Sequence, residues 1–168
     1  MSTIASASPS SRNSLLRLSV ISGLIIGTLH LVIQAWIVFI LILKLAPSFM
    51  VGAQFIASGL LGDAAYTGGL ATALLGVILE LVMTIIIAGI FFFSADRIPL
   101  LRKNVIVGSL LYGIGVFIVM NFIVLPLSAA PPLPAPPISQ IIEIILEHIV
   151  LIGLPLGILI QRNANIKK

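Results

Sequence analysis

The sequence predicts an all-α integral membrane protein, a four-helix bundle with a short extracytoplasmic interfacial or re-entrant helix between spans 1 and 2. Three observations predict it. The 168-residue chain is 60% hydrophobic and only 8% charged, with a mean hydropathy of +1.27; soluble domains carry about 25% charged residues. Four apolar runs reach the roughly 20 residues that a helix needs to cross hydrocarbon. The few basic residues fall in short clusters at the ends of those runs.

The elements follow in order. Residues 1–14, "MSTIASASPSSRNS", are Ser-rich and polar, which predicts a disordered tail. A single four-span domain then occupies 15–162. Its first span, about 18–43, follows Arg12 and Arg17 and ends at Lys44. The run is too long for the apolar core of a signal peptide, and no small-residue cleavage site follows a short core, so an uncleaved signal anchor is expected. At 1.5 Å per residue it is roughly 39 Å long and must tilt or pass the interface. The apolar stretch Phe49–Leu61 is too short to span and is expected to lie on the surface or re-enter.

Thr67 is placed to cap the second span, about 70–94, which ends at Asp96 and Arg97. The third span, about 104–125, ends at Pro126. The proline-rich "LSAAPPLPAPPI" at 127–138 predicts a stiff extended spacer. The fourth span, about 139–160, contains Pro155, which removes a hydrogen bond to residue 151 and is expected to kink the helix. Residues 163–168 form a basic tail.

Charge sets the orientation. Arg12 and Arg17, then Arg97, Arg102 and Lys103, then Arg162, Lys167 and Lys168 all fall on one side of four spans. Only Lys44 falls on the other. Basic loops stay in the cytoplasm, so both termini are expected there. The net charge of +4 does not point to nucleic acid, because the basic residues form no continuous face. The expected partners are the lipid bilayer and, through a small-residue stripe, a second copy or another membrane protein. The chain has no cysteine, which excludes disulfides, thiol catalysis and Cys-ligated metals. No nucleotide loop, nucleophile elbow or zinc-protease signature is present, and no cofactor is predicted.

Lipid removes the hydrophobic drive between helices, so close backbone approach matters. Small residues recur at spacing four: Ser19, Gly23 and Gly27, then Ser109 and Gly113, then Gly153 and Gly157. Each set predicts a flat packing stripe. Trp36 and Tyr66 suit one interface and Phe91–Phe93 the other. The Tyr112 hydroxyl lies deeper and is expected to find a partner inside the bundle.

The candidate functional residues are polar groups inside the spans. Counting about 1.5 Å per residue from each outer end places Gln34, Glu80, Glu147 and His148 at similar depth, with His30 one turn deeper than Gln34. Asn121 and Glu143 come out shallower. Glu143 and Glu147 lie four apart on one helical face. Charged groups in hydrocarbon are costly, so such residues face the bundle, pair, or stay neutral. A Glu80–His148 or a Glu147–His30 pair is expected to share a proton. Gln34 and Asn121 read first as interhelical hydrogen bonds, and Glu143 as a side chain reaching the outer surface.

The run "LLYGIGVFIVMNFIVLPLSAA" at 110–130, with "QFIASGLLGDAAYTGG" at 54–69, resembles a family of small, uncharacterised bacterial four-span membrane proteins marked by a YG…MN…VLPLSA motif. The resemblance covers nearly all four spans and implies the bacterial inner membrane. It also implies a histidine where Glu80 stands, a position at which this chain departs. Two functional classes stay open. One is a small transporter or accessory membrane subunit that uses the buried Glu/His set. The other is a membrane-embedded enzyme or redox protein that binds a metal or haem through His30 and His148.

Overall fold

The computed structural model describes residues 9–36, 49–95, 97–132 and 136–166, and every regular element among them is helical. Helix α1 is Pro9–Trp36 and α2 is Phe49–Leu61. The single turn α3 is Ala64–Thr67, and α4 is the long helix Gly69–Ala95. The short α5 is Pro99–Lys103. Helix α6 covers 105–127, with a wide π-turn at Met120–Val124. Helix α7 covers 138–166, with a second π-turn at His148–Gly153. Four of these, α1, α4, α6 and α7, are long and apolar enough to cross a membrane. Residues 37–43 of the expected first span, and the side chains of Gln34 and Trp36, lie outside the described residues.

One expectation is corrected at the start. The polar stretch 9–14 is helical from Pro9 onward rather than a disordered tail. Proline suits a first helical turn, and a helix already nucleated gains one hydrogen bond per added residue. The apolar run that follows supplies the nucleus.

A second correction concerns Thr67. Its hydroxyl donates to Ala64 O at 3.1 Å within its own turn, so it does not cap α4. Instead Gly69 turns the chain with φ of +58°, a conformation other residues rarely adopt. Thr72 then ties the junction by donating to Ala65 O at 2.6 Å. At the other long connection, Asn104 does cap its helix: its side chain accepts from Val107 N at 3.1 Å.

Each π-turn ends two residues before a proline, Pro126 in one case and Pro155 in the other. A proline ring clashes with the carbonyl four residues earlier. Those carbonyls, Phe122 and Leu151, both lie inside the wide turn. Opening the turn by one residue moves each carbonyl away from the ring. The wide turn that precedes Pro155 begins at His148.

The bundle is built from two helix pairs. Helix α1 packs along α4, and α6 packs along α7. The small-residue stripes lie inside these pairs. A Cβ on Gly23 would meet the Ile85 backbone, and one on Gly27 would meet Thr84 Oγ1. In the second pair, Gly113 faces Ile149 Cα at 2.6 Å from its virtual Cβ, Gly153 faces the Ser109 carbonyl, and Gly157 faces the Ser109 hydroxyl. Every stripe is therefore covered by a helix of the same chain.

The short helix α2 runs along the first turns of α4. The Ala53 carbonyl occupies the space a Gly76 side chain would take. Gln54 is buried and donates from Nε2 to Gly69 O at 3.1 Å. The two connections at this end also meet, through Ala129 N–H donating to Gly59 O at 2.9 Å.

The two pairs join around an apolar core of Ile26, Phe91, Phe92, Ile152, Leu156 and Ile160. Phe91 and Phe92, expected at an interface, are instead fully buried. Phe91 stacks edge-on against Tyr112 at 4.8 Å. The Tyr112 hydroxyl donates across the seam to Ile87 O at 2.5 Å. The core thus lies past the middle of α4, toward the end that carries α5.

Candidate functional site

On the other side of that core, nearer the α2 end, sits the one dense polar group of the described bundle. It begins with His30, which α1 delivers two turns past Ser22 and one past Ile26. The small residues on this face of α1 let it approach α4 closely. That approach brings the His30 ring to Glu80, on the buried face of α4 that also carries Ala73, Gly76, Thr84 and Ala88.

His30 Nδ1 lies 2.7 Å from Glu80 Oε1. The nitrogen is buried and its N–H direction misses the oxygen, so the contact is a close electrostatic pair rather than an aligned hydrogen bond. The opposite nitrogen, Nε2, lies 3.6 Å from Glu147 Oε1 on α7. One imidazole thus stands between two carboxylates, and each group comes from a different helix. The side chains are 11% exposed for His30, 5% for Glu80 and 17% for Glu147, so exposure falls from Glu147 inward to Glu80.

His148 belongs to the same layer but plays a different part. Its ring stands edge-on to His30 at 6.4 Å between centroids and edge-on to Phe117 at 5.8 Å. Its Nδ1 lies 2.8 Å from Ile144 O, a carbonyl that can only accept, so Nδ1 carries the proton in that contact. The expected Glu80–His148 pair is therefore absent: His148 is tied to its own helix, and Glu80 is taken by His30. The expected Glu147–His30 approach is present at the 3.6 Å separation. The π-turn of α7 begins at His148, directly after Glu147.

The remaining candidates separate from this group. Asn121 donates from Nδ2 to Phe117 O at 3.0 Å, one turn back on its own helix, and does not join the cluster. The side chain of Gln34 lies outside the described residues. Glu143 is exposed on the same face of α7 as Glu147. Gly113 and Gly153 hold α6 against the π-turn that carries His148, so the packing residues position the polar ones.

Two neighbours go beyond the sequence reading. Thr84 lies one turn past Glu80 and donates to Glu80 O at 2.9 Å, which closes the polar face of α4 on that side. Phe117 forms an aromatic wall behind His148. Spacing four from Glu80 is the available signal for Thr84; nothing in the sequence points to Phe117.

Both His30 nitrogens face carboxylates and His148 Nδ1 faces a carbonyl, so the two imidazoles do not present a matched pair of free nitrogens. Among the described residues, no group of three His, Asp or Glu side chains is arranged to hold a metal ion. What the arrangement offers is proton exchange. With one carboxyl protonated, a charged imidazole and one carboxylate, the set is neutral. Any further gain or loss of a proton leaves a net charge in an apolar surround, which is costly unless a second charge moves with it.

No protein-family profile, curated sequence or solved structure matches this chain. The resemblance drawn from its motifs therefore rests on those motifs alone.

Proposed function

We propose that this chain is a multi-pass protein of the bacterial inner membrane, with both termini in the cytoplasm, that works as a small proton-coupled carrier. The observation that carries the reading is His30 held between Glu80 and Glu147 by three different helices. Ionisable groups are rare in membrane segments, and structural hydrogen bonds there need no three-way histidine bridge. A neutral set that resists a change of net charge couples proton release to the entry of another cation. That is the elementary requirement of an exchanger.

Placement in a bilayer draws support from the outward faces. Leu70, Ile78, Ile86 and Ile90 of α4 and Ile106 and Phe122 of α6 are exposed large apolar side chains. In water such faces would aggregate; in lipid they are solvated. Arg97, Lys103 and Arg162 lie at the end of the bundle that the charge rule assigns to the cytoplasm. On this reading α2, α3 and the 127–138 connection face outward. The contact of Ala53 with Gly76, two turns into α4, favours a re-entrant over a surface-lying α2.

The test is reconstitution of the purified protein into liposomes that carry a pH-sensitive dye in the lumen. An imposed inward gradient of sodium, potassium or a small organic cation should make the lumen more alkaline, well beyond the change in protein-free vesicles. Glu80→Gln should abolish it. Wild-type vesicles no leakier than empty ones, across inward gradients of sodium, potassium and organic cations, would refute the carrier reading.

A further inference from the structure

We infer that in this conformation the cluster is open to one side, through an acid-lined entrance that begins at Glu143 and admits protons and small cations rather than anions. The inference rests on the proposed carrier function, and concerns how its site is filled.

Three observations carry it. The first is the order of exposure. Glu143 is exposed, Glu147 is half-buried, and His30 and Glu80 are nearly closed off. Glu143 and Glu147 are four apart on α7, which places their Cβ atoms about 6 Å from each other on one face. The acids and His30 thus form a series of steps from the surface to Glu80.

The second is what ends the series. Past Glu80 the next polar side chain on that face, Thr84, spends its proton on Glu80 O. On α1 the next residue of the face is Ile26, which separates His30 from the buried Ser22 hydroxyl. On α7 the next buried residues are Leu151 and Ile152. Beyond them lie Phe91, Phe92 and Leu156, all fully buried. Among the described residues the buried hydroxyls farther toward the α5 end, Ser22, Ser19 and Ser109, carry no charge and make no hydrogen bond to the cluster. A proton that reaches Glu80 leaves by the way it came unless the helices move.

The third is charge. The titratable groups that face this route from every helix around it are His30 of α1, Glu80 of α4, and Glu143, Glu147 and His148 of α7. The side chain that α6 sets against His148, Phe117, is neutral. Among the described residues no Lys or Arg lines the path. An entrance of one sign raises the local concentration of the opposite ion.

The absence of cysteine makes the test clean, because each single-cysteine variant carries one thiol. Glu143→Cys, Glu147→Cys and Ala88→Cys are treated in intact cells and in inverted vesicles. The probes are two membrane-impermeant methanethiosulfonates, one with a trimethylammonium group and one with a sulfonate. Glu143→Cys should react from the outer face only, and Glu147→Cys at least about tenfold faster from the outer face than from the cytoplasmic one. Ala88→Cys, in the core, should react from neither. At Glu147→Cys the cationic reagent should be faster than the anionic one by about tenfold after correction for their intrinsic rates. Adding Glu143→Gln should remove most of that preference.

Reaction of Glu147→Cys as fast from the cytoplasmic face as from the outer one would overturn the outward entrance. An unreactive Glu143→Cys would overturn its place at the mouth, and equal rates for the two reagents would overturn the cation preference. Should wild-type liposomes carry no proton flux while this labelling pattern holds, the carrier reading falls and the entrance stands. Should flux be present while Glu147→Cys is labelled equally fast from both faces, the entrance falls and the carrier reading stands.

Discussion

Two glycines on α6, two residues apart, give a test in which one serves as the control for the other. A Cβ built on Gly113 lies 2.6 Å from Ile149 Cα and 3.0 Å from His148 O, whereas one built on Gly115 meets nothing within 4 Å. Ordinary contact begins near 3.4 Å, so Gly113→Ala must part α6 from α7 by 3.4 − 2.6 = 0.8 Å at a backbone that has no flexible end to yield. Forcing an extra carbon into a packed contact costs about 1–3 kcal/mol. Both substitutions also gain the helical preference of alanine over glycine, about 0.5–1 kcal/mol. That gain is common to the two and cancels in the comparison. Gly113→Ala should therefore be less stable than Gly115→Ala by about 1–3 kcal/mol. Gly115→Ala itself should match or exceed wild type. The assay is unfolding by SDS in mixed micelles, followed by far-ultraviolet circular dichroism. Because Gly113 bears on the carbonyl of His148, the same variant should also alter the His148 ring signals in an NMR spectrum. Equal stability of the two variants would mean that α6 and α7 are not held at this distance, and the account of how the cluster is positioned would fail with it.

Three further outcomes follow from particular contacts. Gln54→Leu removes the hydrogen bonds from Nε2 to Gly69 O and Thr72 Oγ1, while Thr72 Oγ1 still reaches Gly69 O, so the cost should be about 0.5–1.5 kcal/mol; faster cleavage by protease at the 62–69 turn checks it. Tyr112→Phe loses the hydrogen bond to Ile87 O and should lower stability in the same SDS titration by about 1 kcal/mol, with no change if the two helix pairs do not meet there. Pro155→Ala restores an N–H and removes the ring, so the wide turn at His148–Gly153 should close to an α-turn; a solved structure of the variant that keeps the π-turn would show that proline is not its cause.

Much of the architecture is legible because the bilayer sets a length. Runs of about 20 apolar residues can hardly be read otherwise, and four such helices are present. Depth is legible for the same reason: a fixed rise per residue puts His30, Glu80, Glu147 and His148 in neighbouring layers before any fold is known. Rotation is not legible. Which carboxylate meets which imidazole depends on the angle of each helix about its axis, and hydrophobicity all around a span gives no angle. That is why the sequence suggests a Glu80–His148 pairing and the fold contains a His30–Glu80 contact. Pro155 suggests a kink in the sequence, whereas the wide turn just before it has no residue signature of its own. The aromatic pair Phe91 and Phe92 misleads in a similar way: the count of residues gives their level but not the side they face.

The wide turn in α7 also changes what that helix can do. A regular helix repeats its directions every 3.6 residues, so one face serves one neighbour along its whole length. The added residue between His148 and Gly153 breaks that periodicity, much as a skipped tooth re-indexes a gear. Above the step, Glu147 looks toward α1 and α4; below it, Gly153 and Gly157 look toward α6. A single rod thereby closes two different seams, and removing one residue from the step should misalign both at once.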